Sequence, residues 1–169
     1  ELGTSWKERQ CIDVGTGCGF PGLAVAIALP GARLTLVDSI SRKTDALVAI
    51  TAELGLASRV TILTDRIELT GHDPSYRGRF NLAMARAVAP PAVVAEYLVP
   101  LLLPKGEALL FQGHWSQTSQ KDLKKALIPL NANLSKVERC ELPANHGIRH
   151  QLRIRPISHC PPKYPRSVG

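Results

Sequence analysis

The sequence predicts an α/β fold: a three-layer arrangement with a mostly parallel sheet between helices, closed by a C-terminal antiparallel hairpin. The first observation is an apolar strand pattern at residues 11–14, which runs into four glycines within residues 15–22 and then into a helical pattern. The second is the alternation of strand and helix patterns to about residue 127, typical of parallel sheets covered on both faces. The third is a pair of strand-like segments near residues 137–142 and 152–155, which we expect to form the hairpin.

Hydrophobic periodicity places the other elements along the chain. Strands are predicted at residues 10–14, 33–37, 60–63, 80–84 and 108–111, and helices at residues 21–28, 41–54, 90–98 and 118–127. Hydroxyl side chains are expected to cap two of these helices, Ser39 or Ser41 the second and Thr118 or Ser119 the last. Residues 65–79 are polar and are predicted to be a loop with one helical turn, and residues 104–106 are predicted to be a turn.

The composition fits a single domain over residues 1–169. A hydrophobic content of 44% is ordinary for a globular protein of this length. No apolar run approaches the roughly 18 residues of a membrane span, and the first residues lack the pattern of a secretory signal. The four cysteines are widely spaced and lack a zinc-type pattern, so we expect a reduced, cytoplasmic protein without a bound metal.

The net charge of +7 is concentrated towards the C-terminus. Five basic residues and no acid follow residue 148, namely Arg149, Arg153, Arg155, Lys163 and Arg166. The alternation of residues 152–155 predicts one buried and one basic face, which favours a polyanionic partner, most simply nucleic acid. A solvated, solubilising tail is the alternative. Residues 158–169 are expected to be an extended basic tail with poor anchoring.

Two cofactor classes compete for the glycine turn. The Gly-x-Gly-x-x-Gly spacing that begins at Gly17, with Asp38 about 20 residues further on, matches the dinucleotide fingerprint. Asp13 ahead of the alternating glycines instead matches the pattern of S-adenosylmethionine (SAM) methyltransferases. Pro21 stands at the start of the following helix and has no N–H to offer a pyrophosphate. The sequence therefore favours SAM over a nicotinamide dinucleotide.

The candidate site residues follow the strands, because ligands of such sheets lie at the carboxyl ends of the strands. They are Gly15, Gly17, Gly19 and Phe20 after the first strand, Asp38, Ser39 and Ile40 after the second, Ile67 and Glu68 after the third, and Arg86 after the fourth. Asp38 can accept hydrogen bonds from two ribose hydroxyls, and Ile67 can press on the face of an adenine. For Glu68 a place in the adenine site and a solvated loop position are both open.

Three segments carry a family resemblance: Asp-Val-Gly-Thr-Gly-Cys-Gly-Phe-Pro-Gly at residues 13–22, Leu-Val-Asp-Ser-Ile-Ser-Arg-Lys at 36–43 and Ala-Arg-Ala-Val-Ala at 85–89. They resemble the RsmG (GidB) family of bacterial small-subunit rRNA methyltransferases. The final Tyr-Pro-Arg-Ser-Val-Gly at residues 164–169 is similar to the tail of the family's longer members. The similarity runs from about Cys11 to the end of the chain.

The resemblance implies a cytoplasmic, SAM-dependent enzyme that methylates N7 of a guanine in 16S rRNA, near the decoding region. The substrate would be 16S rRNA or an assembling 30S subunit, with no membrane involved, and the enzyme would be a monomer. The implied SAM contacts are Gly15, Phe20, Ile67 and Glu68, with Asp38, Ser39 and Ile40 on the ribose side and Arg86 at the mouth of the pocket.

Two features depart from the family pattern. Only residues 1–10 precede the glycine motif, as a remnant of a helical region that usually spans several dozen residues, so we expect this chain to bind SAM but to methylate RNA poorly or not at all. Gln112 stands before Gly113 where family members commonly have Lys-Gly, so any role of that lysine is in question here.

The absence of other motifs agrees with guanine N7 as the target. This nitrogen carries an exposed lone pair and needs no general base, only alignment with the sulfonium methyl. The chain has neither an Asn/Asp-Pro-Pro-Tyr/Phe tetrad nor a Pro-Cys nucleophile. The rival interpretations are a SAM enzyme for a small molecule, a non-catalytic RNA-binding module with this fold and, most remotely, a nicotinamide dehydrogenase.

Overall fold

The computed structural model describes residues 7–167 and has the predicted α/β architecture. Its strands are β1 (Gln10–Val14), β2 (Arg33–Asp38), β3 (Val60–Thr64), β4 (Phe80–Arg86), β5 (Leu102–Gln112), β6 (Ala132–Glu141) and β7 (Ile148–Pro156). They form a seven-stranded sheet in the order β3-β2-β1-β4-β5-β7-β6. β1 to β5 pair in parallel, and β7 pairs antiparallel with both β5 and β6. The predicted C-terminal hairpin is confirmed.

Helices cover both faces of the sheet and make the three layers. They are α1 (Gly22–Ala28), α2 (Ser41–Glu53), α3 (Ile67–Thr70), α4 (Pro91–Leu98) and α5 (Gln117–Leu127), with 3₁₀ turns at Val99–Leu101, Ile128–Leu130 and Pro143–Asn145. Successive strand residues point to opposite faces, so Cys11 packs in a cluster with Leu47 of α2, whereas Ile12 belongs to a cluster that includes Leu98 of α4. The two buried clusters are the two halves of one core on either side of the sheet.

Several predicted boundaries and caps differ from the structure. Ser116, not Thr118 or Ser119, caps α5, because its Oγ accepts the Ser119 N–H at 3.1 Å. Neither Ser39 nor Ser41 caps α2, whose N-cap is Ile40 with no side-chain hydrogen bond. The expected turn at residues 104–106 lies within β5, beside a register shift against β4. The 137–142 strand begins earlier, at Ala132.

The predicted basic face of β7 is largely paired with acids. Arg153 binds Glu107 at 3.1 Å and Glu138 at 3.0 Å, and Arg155 binds Glu107 at 2.9 Å. These carboxylates come from β5 and β6, which flank β7 in the sheet. Because their charges are neutralised locally, Arg153 and Arg155 contribute little to a basic surface.

The C-terminal tail is well anchored, which corrects the expectation for residues 158–169. Arg77 donates hydrogen bonds to the carbonyls of Cys160, Pro161 and Tyr164. The Tyr164 side chain is buried in the core cluster of α4. Residues 1–6 of the expected N-terminal remnant, and residues 168 and 169, lie outside the described part of the chain. No helix within residues 7–167 is long and apolar enough to cross a membrane.

Candidate functional site

A cavity of about 350 Å³ lies at the carboxyl ends of the parallel strands. Its lining comes from six places: Val14 and Gly15 at the end of β1, residues 37–40 at the end of β2, Lys43 of α2, residues 65–68 after β3, residues 87–89 after β4, and Tyr97 of α4. The volume is within the range of small-molecule sites in proteins. The sheet topology brings these separate segments together because parallel strands end at the same edge.

The first wall of the cavity is a glycine turn that excludes side chains. Gly15 has φ +63°, and a Cβ built on it would lie 2.6 Å from Val88 Cγ2. Gly17 and Gly19 also have positive φ values, of 58° and 92°. Glycine adopts this left-handed backbone without the cost that other residues incur. The turn therefore keeps bare backbone beside the cavity.

Asp13 stabilises the glycine turn through hydrogen bonds and does not line the cavity. Its Oδ2 accepts hydrogen bonds from Thr16 Oγ1 at 2.7 Å and from the Gly22 N–H at 2.8 Å. Its Oδ1 is buried and has no partner among the described residues. Burial raises the pKa of Asp13 to about 6, against the opposing effects of the two hydrogen bonds and of the Arg86 charge. Asp13 therefore supports the conformation of the turn.

Asp38 ties the turn to the end of β2. Its Oδ2 accepts the Gly17 N–H at 3.0 Å and lies 3.4 Å from Lys43 Nζ, and its Oδ1 accepts the Ile40 N–H at 3.1 Å. A carboxylate has about four lone-pair sites, two on each oxygen. Gly17 and Lys43 occupy both sites of Oδ2, so Oδ1 keeps capacity for a ligand hydroxyl. Lys43 was not among the predicted site residues, although it lies five residues after Asp38 in the first turn of α2, where its side chain lines the cavity.

Glu68 is a buried acid and not a solvated loop residue. It is 8% exposed, and its Oε1 accepts hydrogen bonds from Tyr97 Oη at 3.3 Å and from the Arg66 guanidinium at 3.1 Å. Burial and the Glu68 charge raise the pKa of Tyr97. Sequence reasoning placed Tyr97 only on the apolar face of a helix, because nothing local indicates its partner 29 residues away.

The predicted site residues divide into two groups. Six line the cavity: Gly15, Asp38, Ser39, Ile40, Ile67 and Glu68. The other four do not line it. One of them, Gly17, donates its N–H to Asp38, which does line it. The remaining three are Gly19, Phe20 and Arg86.

Gly19, Phe20 and Arg86 lie outside the lining of the cavity, each in a different position. Gly19 packs against the helix, since a Cβ on it would lie 2.3 Å from Leu23 Cδ1. Phe20 is 52% exposed beside the turn. Arg86 is the exposed last residue of β4, close enough for its charge to lower the pKa of Asp13.

The residues that line the cavity fit SAM better than a dinucleotide. Asp38 offers acceptors for hydroxyl groups, and Ile67 and Val88 offer apolar surface in the same cavity. Pro21 is the N-cap of α1, so that helix begins without a donor there for a phosphate. SAM has hydroxyls, an adenine and no phosphate, so these residues match its chemistry.

The family pattern described as rRNA small subunit methyltransferase G (GidB) matches residues 2–149 of this chain. Among curated proteins, a "Ribosomal RNA small subunit methyltransferase G" from Synechococcus sp. (strain CC9902) is 60% identical over 169 residues, which is 100% of this chain and 70% of that protein. One of the same name from Prochlorococcus marinus (strain MIT 9313) is 62% identical over 169 residues, 100% of this chain and 68% of that protein.

Solved structures show the same fold at low identity. A 16S rRNA (adenine(1408)-N(1))-methyltransferase from Catenulisporales acidiphilia has a TM-score of 0.74 at 18% identity, over 93% of this chain and 89% of that one. The mitomycin 7-O-methyltransferase MmcR has a TM-score of 0.68 at 16% identity, over 88% of this chain and 49% of that one. The chain belongs to the rRNA small subunit methyltransferase G family and is a SAM-dependent methyltransferase.

Proposed function

We propose that this chain transfers the methyl group of SAM to N7 of a guanine in 16S rRNA, as free RNA or within an assembling 30S subunit. The observation that carries the proposal is the cavity at the strand ends, in which a bare glycine turn, Asp38 and the Glu68–Tyr97 pair meet. The family resemblance at residues 13–22 and 85–89 supports the guanine target. We further expect a cytoplasmic monomer.

Within the proposal, seven of the lining residues have a role in holding SAM. Asp38 accepts hydrogen bonds from the ribose hydroxyls, with Ser39 and Ile40 beside it. Ile67 packs on the adenine, and Glu68 accepts a hydrogen bond near it while Tyr97 fixes the position of its carboxylate. Gly15 lets the backbone approach the ligand closely. Bound SAM supplies an electrophilic methyl group on a sulfonium.

The reaction then needs alignment and no proton transfer in the attacking step. Guanine N7 has a free lone pair in the major groove. The segment that follows β4 reads Ala-Val-Ala-Pro-Pro at residues 87–91, without a polar side chain to hold an exocyclic amine. The lack of polar side chains in this segment agrees with catalysis by positioning, because holding two reactants in line supplies much of the rate enhancement.

The RNA is proposed to bind at the same edge of the sheet as the cavity. Arg86 ends β4, and β7 begins there, since His150 pairs with Gln112 at the end of β5. Arg149 precedes His150 and, like Arg86, forms no ion pair within residues 7–167. These cations can contact phosphates next to the methyl donor.

The test combines binding and turnover. Calorimetry should show that SAM binds and that NAD does not. Methyl-labelled SAM should then label undermodified 16S rRNA or 30S particles, and the modified nucleoside should be N7-methylguanosine. Binding of NAD without SAM would contradict the cofactor, and labelled RNA without N7-methylguanosine would contradict the target.

A further inference from the structure

The C-terminal segment, residues 160–166, contacts both helices that carry one wall of the cofactor cavity. At the end of α3, His72 Nε2 lies 2.8 Å from the Pro165 carbonyl oxygen. A Cβ built on Gly71, the C-cap of α3, would lie 2.7 Å from Pro165 Cδ and Cγ. Arg77 Nη1 donates to the carbonyls of Gly71 at 2.8 Å and Tyr164 at 2.6 Å. The segment is therefore packed against the C-terminal end of α3 and the residues that follow it.

The same segment is attached to α4. Arg166 donates two hydrogen bonds to the Glu96 carboxylate, one of them from Nε to Oε2 at 3.0 Å. The Glu96 side chain is only 15% exposed, and the hydrogen bonds from Arg166 lower its pKa. A bidentate arginine–carboxylate pair is among the more specific polar contacts. Tyr164 adds apolar contact, because it lies in the core cluster that contains Tyr97.

These two attachments affect the cavity, because side chains of α3 and α4 also contact each other in its lining. Glu68 of α3 accepts the Tyr97 hydroxyl of α4 at 3.3 Å, and both residues line the cavity. α3 is a single turn of four residues, Ile67–Thr70. So short a helix has little stability of its own, and its position depends on what is packed against it. The C-terminal segment is a second link between the two helices.

We propose that the C-terminal segment is a positioning element of the cofactor site, which sets the spacing of α3 and α4 and so the placement of Ile67, Glu68 and Tyr97. This inference rests on the proposed SAM site. Its positioning residues are Arg166 and Arg77, and neither lines the cavity. Loss of the Arg166–Glu96 pair should therefore weaken SAM binding without a change in the chemical step.

The test compares Arg166→Gln with Arg166→Lys and with a matched control. Arg139→Gln removes another arginine–glutamate pair, with Glu141 at the end of β6, in which both side chains are exposed. Arg166→Gln should raise the dissociation constant for SAM by about twofold to fivefold, the scale of a partly exposed ion pair. The dissociation constant of Arg166→Lys should lie between those of the wild type and Arg166→Gln, and that of Arg139→Gln should equal the wild-type value. The KM for SAM should rise while kcat stays constant.

A second variant, Gly71→Ala, disturbs the contact between the C-terminal segment and the end of α3. Gly71→Ala should push Pro165 away and weaken SAM binding, whereas Gly113→Ala has no atom within 4 Å of the new Cβ and should not. Unchanged SAM affinity in Arg166→Gln and Gly71→Ala, with only a lower unfolding midpoint, would overturn the inference. A wild-type chain that binds SAM but places its methyl label on a nucleoside other than N7-methylguanosine would contradict the proposed function alone. A wild-type chain that binds no SAM would overturn both.

Discussion

Asp38 Oδ2 accepts the backbone N–H of Gly17 at 3.0 Å, which joins the carboxylate at the end of β2 to the glycine turn after β1. The two residues are 21 positions apart, and they follow or end neighbouring parallel strands: Gly17 lies in the turn after β1 and Asp38 is the last residue of β2. The bond fixes the turn and the acid relative to each other before any ligand is present. A site arranged in this way loses little ordering entropy when a ligand binds.

Replacement of this acid should weaken cofactor binding. Asp38→Ala removes the proposed acceptor for the ribose hydroxyls, so SAM affinity should fall by about 2 kcal/mol, the scale for hydrogen bonds to a charged group. Calorimetry measures the change, and far-UV circular dichroism reports whether the fold is kept. Asp45→Ala, at an exposed position of α2, is the control and should have wild-type affinity. Equal SAM affinity in both folded variants would remove Asp38 from the site.

The bare backbone at Gly15 should matter for binding beyond its effect on stability. Gly15→Ala places a Cβ 2.6 Å from Val88 Cγ2 at a residue with φ +63°. Gly55→Ala has a similar φ, +65°, but no atom within 4 Å of the new Cβ. Both should cost about 1 kcal/mol of unfolding free energy from the left-handed backbone. Only Gly15→Ala should also reduce SAM affinity in a titration, and a parallel loss in Gly55→Ala would contradict this account.

The buried Asp13 should give stability a dependence on pH. Burial raises its pKa from 3.8 to about 6, so the folded state binds a proton at pH values where the unfolded state has lost it. The resulting stabilisation is complete below pH 3.8 and is lost as the pH rises through about 6. A shift of about two pH units corresponds to about 3 kcal/mol.

The measurement is urea unfolding of the wild type and of Asp13→Asn between pH 4 and pH 7. Relative to the variant, the wild type should become less stable as the pH rises. In Arg86→Gln the transition should move to higher pH, because the Arg86 charge lowers the pKa of Asp13. A wild-type-minus-variant difference that is the same at every pH would show that Asp13 does not titrate in this range.

If RNA binds at the edge of the sheet where the cavity lies, its affinity should depend on the salt concentration. Arg86 and Arg149 form no ion pair in the described part of the chain, so both can displace counterions from phosphates. Replacing both with glutamine should reduce the log–log slope of RNA affinity against salt by about 2. Arg155→Gln is the control, since Arg155 already pairs with Glu107. A slope that responds to Arg155 but not to Arg86 and Arg149 would place the RNA on another surface.

The sequence predicted those features that depend on local pattern. Apolar periodicity predicted the existence of each strand, although β5 and β6 begin earlier than predicted. The run of glycines after β1 predicted the turn that Gly15, Gly17 and Gly19 adopt with positive φ. The acid at the end of β2 could be predicted because all parallel strands end at one edge. These features depend on a few consecutive residues and on the topology.

The features that sequence reasoning missed depend on contacts between distant segments. The partner of Glu68 is Tyr97 on another helix, and the partners of Arg153 come from β5 and β6. The anchoring of the tail follows from Arg77, more than 80 residues earlier in the chain. Charge counting alone treated Arg153 as free, because it cannot show which acid lies opposite.

The most direct test of the central claim is nucleoside mass spectrometry of 16S rRNA after incubation of undermodified 30S particles with this chain and deuteromethyl SAM. The account predicts one labelled nucleoside, N7-methylguanosine, which is lost in Asp38→Ala at low SAM concentration. A label on another base or on another atom of guanine would contradict it.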